Sequence, residues 1–131
     1  MITIYTHKKP LIAQVETAKQ ELEKNKGLAT LKLVDCGDHY VLVDDCHVLE
    51  AARQLNLPIQ FAILEQDEIL DPSSLSYGYK VAKGVKTYGE LAYWLCGDGQ
   101  CGVYEYTEAP ALEEGDKYLN LVFFPDGTKF L

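Results

Sequence analysis

Met1 to Thr6 alternates β-branched and polar residues, which predicts a short first strand. Leu11, Val15, Ala18 and Leu22 then recur at helical spacing, with Ile12 widening the apolar stripe and Glu21, Glu23 and Lys24 outside it. Pro10 suits the start of that helix, where a missing N–H costs nothing, and Asn25-Lys26-Gly27 supplies its stop. Leu31 to Val34 and Tyr40 to Val43 read as two strands. The loop between them, Cys36-Gly37-Asp38-His39, predicts an antiparallel hairpin. Tyr40 to Val43 is apolar on both faces, so it belongs in a central, covered position. Val48, Ala51, Ala52 and Leu55 form a second helical stripe ended by Asn56-Leu57-Pro58, and Ile59 to Leu64 is another apolar strand.

Asp67 to Gly78, with Pro72-Ser73-Ser74, is polar and reads as a loop or a short helical turn. Tyr88, Leu91, Ala92 and Leu95 then predict a third short helix closed by Gly97. Val103 to Thr107 and Tyr118 to Phe124 read as strands. Pro125-Asp126-Gly127 is expected to fold Lys129-Phe130-Leu131 back as a terminal hairpin.

Composition narrows the function classes. A chain of 131 residues suits one domain with a substantial core. Twenty acidic residues oppose 12 basic ones, the net charge is −8, and Arg53 is the only arginine. A nucleic-acid binder needs a basic footprint to displace counterions, so direct DNA or RNA binding is not expected. The N-terminus lacks a basic segment followed by an apolar one, and no apolar run reaches membrane-spanning length. A cytoplasmic protein is expected, with Cys36, Cys46, Cys96 and Cys101 as reduced thiols.

The candidate chemistry lies at Val43-Asp44-Asp45-Cys46-His47-Val48, where a strand pattern gives way to a helix pattern. Such a turn aims free backbone N–H groups at one spot, a natural seat for phosphate. Here the spot carries two carboxylates, a thiol and an imidazole. Asp44 or Asp45 is expected to cap the helix. Alternatively, Asp44, Asp45 and His47 could bring a divalent ion to a bound phosphate. A thiol at a helix N-terminus can be acidified, but two neighbouring carboxylates oppose this at Cys46, which reads as structural. His47 is expected to pack or hydrogen-bond at the turn. Cys96-Gly97-Asp98-Gly99-Gln100-Cys101 has zinc-range spacing, yet a tetrahedral site needs two more ligands from Cys36, Cys46 or the histidines. It reads as a glycine-rich loop flanked by cysteines. Tyr77, Tyr79, Tyr88, Tyr93, Trp94, Tyr104, Tyr106 and Tyr118 crowd the second half beside Glu105, Glu108, Glu113, Glu114 and Asp116. Individually they read as core aromatics and a solvated acidic face; together they could form a DNA-imitating surface for a basic protein partner.

Tyr40-Val41-Leu42-Val43-Asp44-Asp45-Cys46-His47-Val48-Leu49-Glu50-Ala51-Ala52 resembles the ParB N-terminal domain, which reads Y-x-L-V-D-G-H-H-R-x-x-A-A, and sulfiredoxin, which reads G-G-C-H-R at the same turn. Arg53 to Ile59 continues the likeness. The resemblance covers residues 1–66 and implies an α+β fold: a small mixed sheet, two or three packed helices, and residues 67–131 as a β-rich C-terminal extension within the same domain. It also implies a nucleotide-phosphate site at the turn, assisted by a glycine and an arginine. The family glycine falls on Asp45 and the arginine on Val48, while Cys46 and His47 match the sulfiredoxin pair. A carboxylate about 4–5 Å from a phosphate charge repels it by a few kcal/mol at an effective dielectric near 20. Losing the arginine removes a bidentate contact as well. The expectation is therefore a non-catalytic, acidic interaction or accessory module of a bacterium or mobile element, with a degenerate pocket and no cofactor. The alternative is a magnesium-dependent, nucleotide-using enzyme that binds through Asp44, Asp45, Cys46 and His47. Its catalytic candidates are Asp45, Cys46, His47 and Glu50, with Asp45 or Glu50 as general base.

Overall fold

The computed structural model describes residues 1–25, 29–71, 73, 84–108 and 118–130. In chain order the elements are β1 (Ile2–Thr6), α1 (Ile12–Lys24), β2 (Thr30–Asp35), β3 (Tyr40–Leu42), α2 (Cys46–Gln54) and β4 (Ile59–Leu64), then α3 (Tyr88–Cys96), β5 (Gly102–Glu108), β6 (Tyr118–Phe123) and β7 (Lys129–Phe130). This is a mixed α+β fold.

The β2–β3 hairpin forms as expected, with Leu33 opposite Leu42 and Asp35 opposite Tyr40. Cys36 N–H donates to the His39 carbonyl at 3.0 Å, and Gly37 takes φ +95°, which a side chain would resist. β3 also pairs in parallel with β1, so it is central. β2 pairs in parallel with β4, β4 antiparallel with β6, and β6 antiparallel with β5. A five-residue antiparallel ladder from Ile2–Tyr106 to Thr6–Gly102 then joins β5 to β1. The order β1-β3-β2-β4-β6-β5 thus closes on itself as a six-stranded barrel, leaving no open edge along those strands. β5 and β6 are staves of the barrel, inserted between β4 and β1.

The period-2 alternation divides the strand residues between two cores. Ile4, Leu33, Leu42, Phe61, Tyr104 and Leu121, one from each stave, meet in the barrel interior. Val15, Ala18 and Leu22 of α1 and Leu49 and Ala52 of α2 join the same cluster, so this helical pair packs on the interior. On the outer wall Val34, Val41 and Val43 receive Tyr88, Leu91, Ala92 and Leu95 of α3. Thr87 caps α3, its Oγ1 accepting from Glu90 N–H at 3.2 Å, and Gly97 ends the helix as expected.

Three sequence expectations need correction. α1 begins at Ile12 with Leu11 as its N-cap, so Pro10 lies before the helix. Leu11 and Ile12 are 57% and 83% exposed; the buried stripe starts at Val15, where α1 meets the interior cluster. Pro125-Asp126-Gly127 does not make a terminal hairpin. β7 pairs with β5, Val103 opposite Lys129, on the flank where β6 pairs Tyr106 opposite Phe123. β6 and β7 are therefore one interrupted strand, and the turn between them is a bulge. Gly127 sits where a Cβ would come within 2.5 Å of the Glu105 Cβ, so the bulge needs glycine for close approach. The expected loop at 67–78 is described at 67–71 and 73, where Ile69 bridges Thr87; its other residues lie outside the described set, as do Lys26 and Gly27.

Candidate functional site

The turn before α2 is held by its own acids. Asp44 ties it to β2, with Oδ2 accepting from Lys32 N–H at 3.2 Å and Oδ1 from Asp45 N–H at 2.9 Å. Asp45 is extended (φ −73°, ψ 110°) and caps α2, its Oδ1 accepting from His47 N–H at 2.9 Å. The same oxygen lies 2.9 Å from His47 Nδ1. The amide of His47, the second residue of the helix, is thus taken by a carboxylate of the chain. Val48, where the sequence resemblance leads one to expect an arginine, is half-buried.

Cys46 is 1% exposed and packs in the barrel interior. Burial first, with Asp45 and Glu50 adding, pushes its thiol up to about 11, against an opposing pull from Lys8. Lys8 is a cation beside the turn that the sequence motif gave no reason to expect. The thiol is nonetheless protonated at neutral pH and poorly nucleophilic. His47 is 5% exposed, and its Nε2 is buried with no hydrogen-bond partner. One donor atom each from Asp45, Cys46 and His47 lies within 4.8 Å of the others, the only such trio among the described residues. Asp45, His47 and Val48 also border a cleft of about 270 Å³ against Gln14, Thr17 and Glu21 of α1.

Glu50, one turn further along α2, belongs to a different structure. It is 4% exposed and accepts from Arg53 Nε at 2.6 Å, Arg53 Nη2 at 2.5 Å, Gln54 Nε2 at 2.7 Å and the Tyr104 hydroxyl at 3.1 Å. Burial pushes its pKa up, but the hydrogen bonds from Arg53, Gln54 and Tyr104 and the Arg53 charge outweigh it, so the carboxyl titrates below its usual value. The Arg53 guanidinium also lies over the Phe123 ring at 5.5 Å. Burial first, then the Glu50 charge, raises the Tyr104 and Tyr106 hydroxyls. Tyr104, 54 residues away in sequence, is the partner that reading the helix alone misses. Its only sequence signal is the alternation of β5.

The remaining cysteines gather elsewhere. Cys36, His39 and Cys96 border one cavity of about 320 Å³ under α3. Burial, then Cys101 and Cys36, push the Cys96 thiol up to about 12. Cys36 is thus the thiol that approaches the Cys96–Cys101 loop, and Cys46 is not. His39 has partners of its own: its Nδ1 lies 2.6 Å from Asp38, and its ring stacks on Tyr5 with centroids 4.3 Å apart. Tyr88, Tyr104 and Tyr106 are core residues, whereas Tyr93 and Trp94 are 74% and 52% exposed. Tyr77, Tyr79, Glu113, Glu114, Asp116 and the Tyr118 side chain lie outside the described residues.

The fold and the turn define a six-stranded mixed barrel with a self-capped helix N-terminus at its interior. Comparison with protein-family models, curated proteins and solved structures returns no match. No helix among the described residues is long and apolar enough to cross a membrane.

Proposed function

We propose that the chain is a non-catalytic, acidic protein-interaction module on a ParB/sulfiredoxin-like scaffold whose nucleotide pocket has degenerated, and that its partner is a basic protein. The observation that carries this reading is the outer face of α3. Tyr93 and Trp94 stand 74% and 52% exposed; Glu90, also exposed, lies one turn earlier on α3, and exposed Asp98 follows just past the helix end. Aromatic faces between carboxylates suit lysine and arginine side chains, through cation–π contact and charge attraction together. The net charge of −8 extends the same preference over long range.

The state of the turn supports the non-catalytic half. Asp45 occupies the His47 amide in the first turn of α2, the only arginine is engaged by buried Glu50, and the Cys46 thiol is protonated. The bacterial or mobile-element origin rests on the sequence resemblance alone.

The test is affinity capture from a bacterial lysate at low salt, comparing the wild-type chain with a Tyr93→Ala/Trp94→Ala variant. A basic protein should be retained by the wild type, released as salt rises, and retained several-fold less by the variant. Equal retention by both chains, or capture that salt leaves unchanged, would sink the proposal. Both changed residues are exposed, so the variant should fold normally.

A further inference from the structure

The loop between α3 and β5 carries two thiols that neither the turn before α2 nor the exposed aromatic face uses. Cys96 is the last residue of α3 and Cys101 directly precedes β5, with Gly97-Asp98-Gly99-Gln100 between them. The loop is a chain reversal tied at both ends. Gly99 N–H donates to the Cys96 carbonyl at 3.2 Å, and Cys101 N–H donates to the Thr6 carbonyl at 2.8 Å. Alternation along β5 then sets which side the second thiol takes. Tyr104 and Tyr106 face the barrel interior, so Val103 and, two residues earlier, Cys101 belong to the outer wall, the side on which α3 lies. Cys96 packs beside Leu95 against that wall. Both cysteines are half-buried, and both are free. After burial itself, charge at Cys101 is the largest influence raising the Cys96 thiol, ahead of Cys36, so Cys101 is its principal neighbour.

We propose that Cys96 and Cys101 are a reversible dithiol–disulfide pair, a redox-modified site whose closure pins the end of α3 to the start of β5. The bond forms by exchange with a small-molecule disulfide such as oxidised glutathione. One cysteine thiolate attacks a glutathione sulfur, the glutathione S–S bond breaks, and one glutathione thiolate leaves. The second cysteine, having given up its proton, attacks the protein-bound sulfur and releases the second glutathione. Two protein thiols are thus oxidised, one glutathione disulfide is reduced, and the two protons pass to the two glutathione thiolates. With its thiol pushed up to about 12, Cys96 is a poor nucleophile toward a molecule from solution, so Cys101 takes the entry step and Cys96 the intramolecular one. The same protonation leaves the reduced pair without a stabilised thiolate at Cys96, so the disulfide, once made, resists reduction. An added Cβ at Gly99 would meet nothing within 4 Å, which leaves the loop room to draw the sulfurs to the ~2 Å of a bond. Gly97 carries the effect outward, because its N–H donates to the Tyr93 carbonyl at 2.6 Å. That last consequence rests on the reading of Tyr93 and Trp94 as a partner surface; the bond itself does not.

The experiment is oxidation of the reduced full chain with oxidised glutathione, alkylation of the remaining thiols, and tryptic mapping by mass spectrometry. Two of the four thiols should disappear. Residues 87–117 form one tryptic peptide holding both cysteines, so the bond makes that peptide lighter by two hydrogens without joining it to another. Trp94, the only tryptophan, lies two residues from Cys96, and its emission should fall on oxidation and return with dithiothreitol. Cys36→Ser should form the same bond. Cys101→Ser, a near-isosteric change at a half-buried loop position, should lose both the mass change and the emission change. Four thiols surviving prolonged oxidation would overturn the assignment. So would Cys96 bonded instead to Cys36, which borders the same cavity, or an emission change that persists in Cys101→Ser. The bond and partner capture are separate readouts: a bond that forms in a chain retaining no basic protein supports this assignment and removes only the partner reading.

Discussion

Glu50 receives four donors on two oxygens while 4% exposed, and that arrangement fixes what it can do. Its lowered pKa keeps it ionised at neutral pH, so it is a poor proton acceptor and serves the fold. Removing one member of a buried ion pair leaves the other uncompensated. Glu50→Gln should therefore cost on the order of 3 kcal/mol, reduced somewhat because the Arg53 side chain is 26% exposed and can recruit water. A Glu50→Gln/Arg53→Met chain should recover part of the loss, because no lone charge remains. The pH dependence follows from the sign of the shift. A carboxyl with a folded pKa below its unfolded value contributes stability that is fully present above the unfolded value, about 4.3, and is lost as pH falls through the folded one. Urea melts of wild type and Glu50→Gln from about pH 7 to pH 3 should converge toward the acid end. A gap that stays constant with pH would show that Glu50 acts through packing alone.

At the scale of elements, the end of α2 is a Schellman motif with asparagine in the left-handed position. Asn56 has φ +55°, its N–H donates to the Arg53 carbonyl at 3.1 Å, and Leu57 N–H donates to the Ala52 carbonyl at 2.9 Å. Asn56→Gly should keep or slightly raise stability, whereas Asn56→Ala should lose about 1 kcal/mol to the left-handed backbone. Thermal melts in which alanine is no worse than glycine would contradict that conformation. Asn56-Leu57-Pro58 was legible as a stop because asparagine at a helix end has one dominant use. The β2–β3 hairpin was legible for a similar reason, through Gly37 in a short loop. Pro125-Asp126-Gly127 was misleading because turn residues report that the chain bends locally and do not report which strand it meets afterwards. The same limit applied at the start of α1: Leu11 and Ile12 fit the helical period, but nothing in the period says that the neighbouring helix begins to cover α1 only at Val15.

At the scale of the whole molecule, closure of the barrel was the least legible property. It depends on β1 meeting β5 about a hundred residues later, and alternation within each strand is the same whether a sheet is open or closed. The candidate turn was legible as residues but not as a site. Sequence offered Asp44 or Asp45 as the cap, yet it could not show which of them caps, that His47 Nε2 is buried without a partner, or that Glu50 faces Tyr104 instead of the turn. Closure also gives the nucleotide question a global readout. Cys46, Leu49 and Ala52 of α2 pack in the same interior cluster as all six staves, so a ligand held at the α2 N-terminus stabilises the cooperative unit as a whole. A ligand that binds only the native state raises its stability by mass action, by ~2.7 kcal/mol at a hundred times its dissociation constant. With Asp45 capping the helix and the only arginine bonded to Glu50, ATP, CTP and GTP at millimolar concentration should leave the melting temperature unchanged, with or without magnesium. A magnesium-dependent rise that disappears in Asp45→Ala would instead make the turn a nucleotide site and return the enzyme reading.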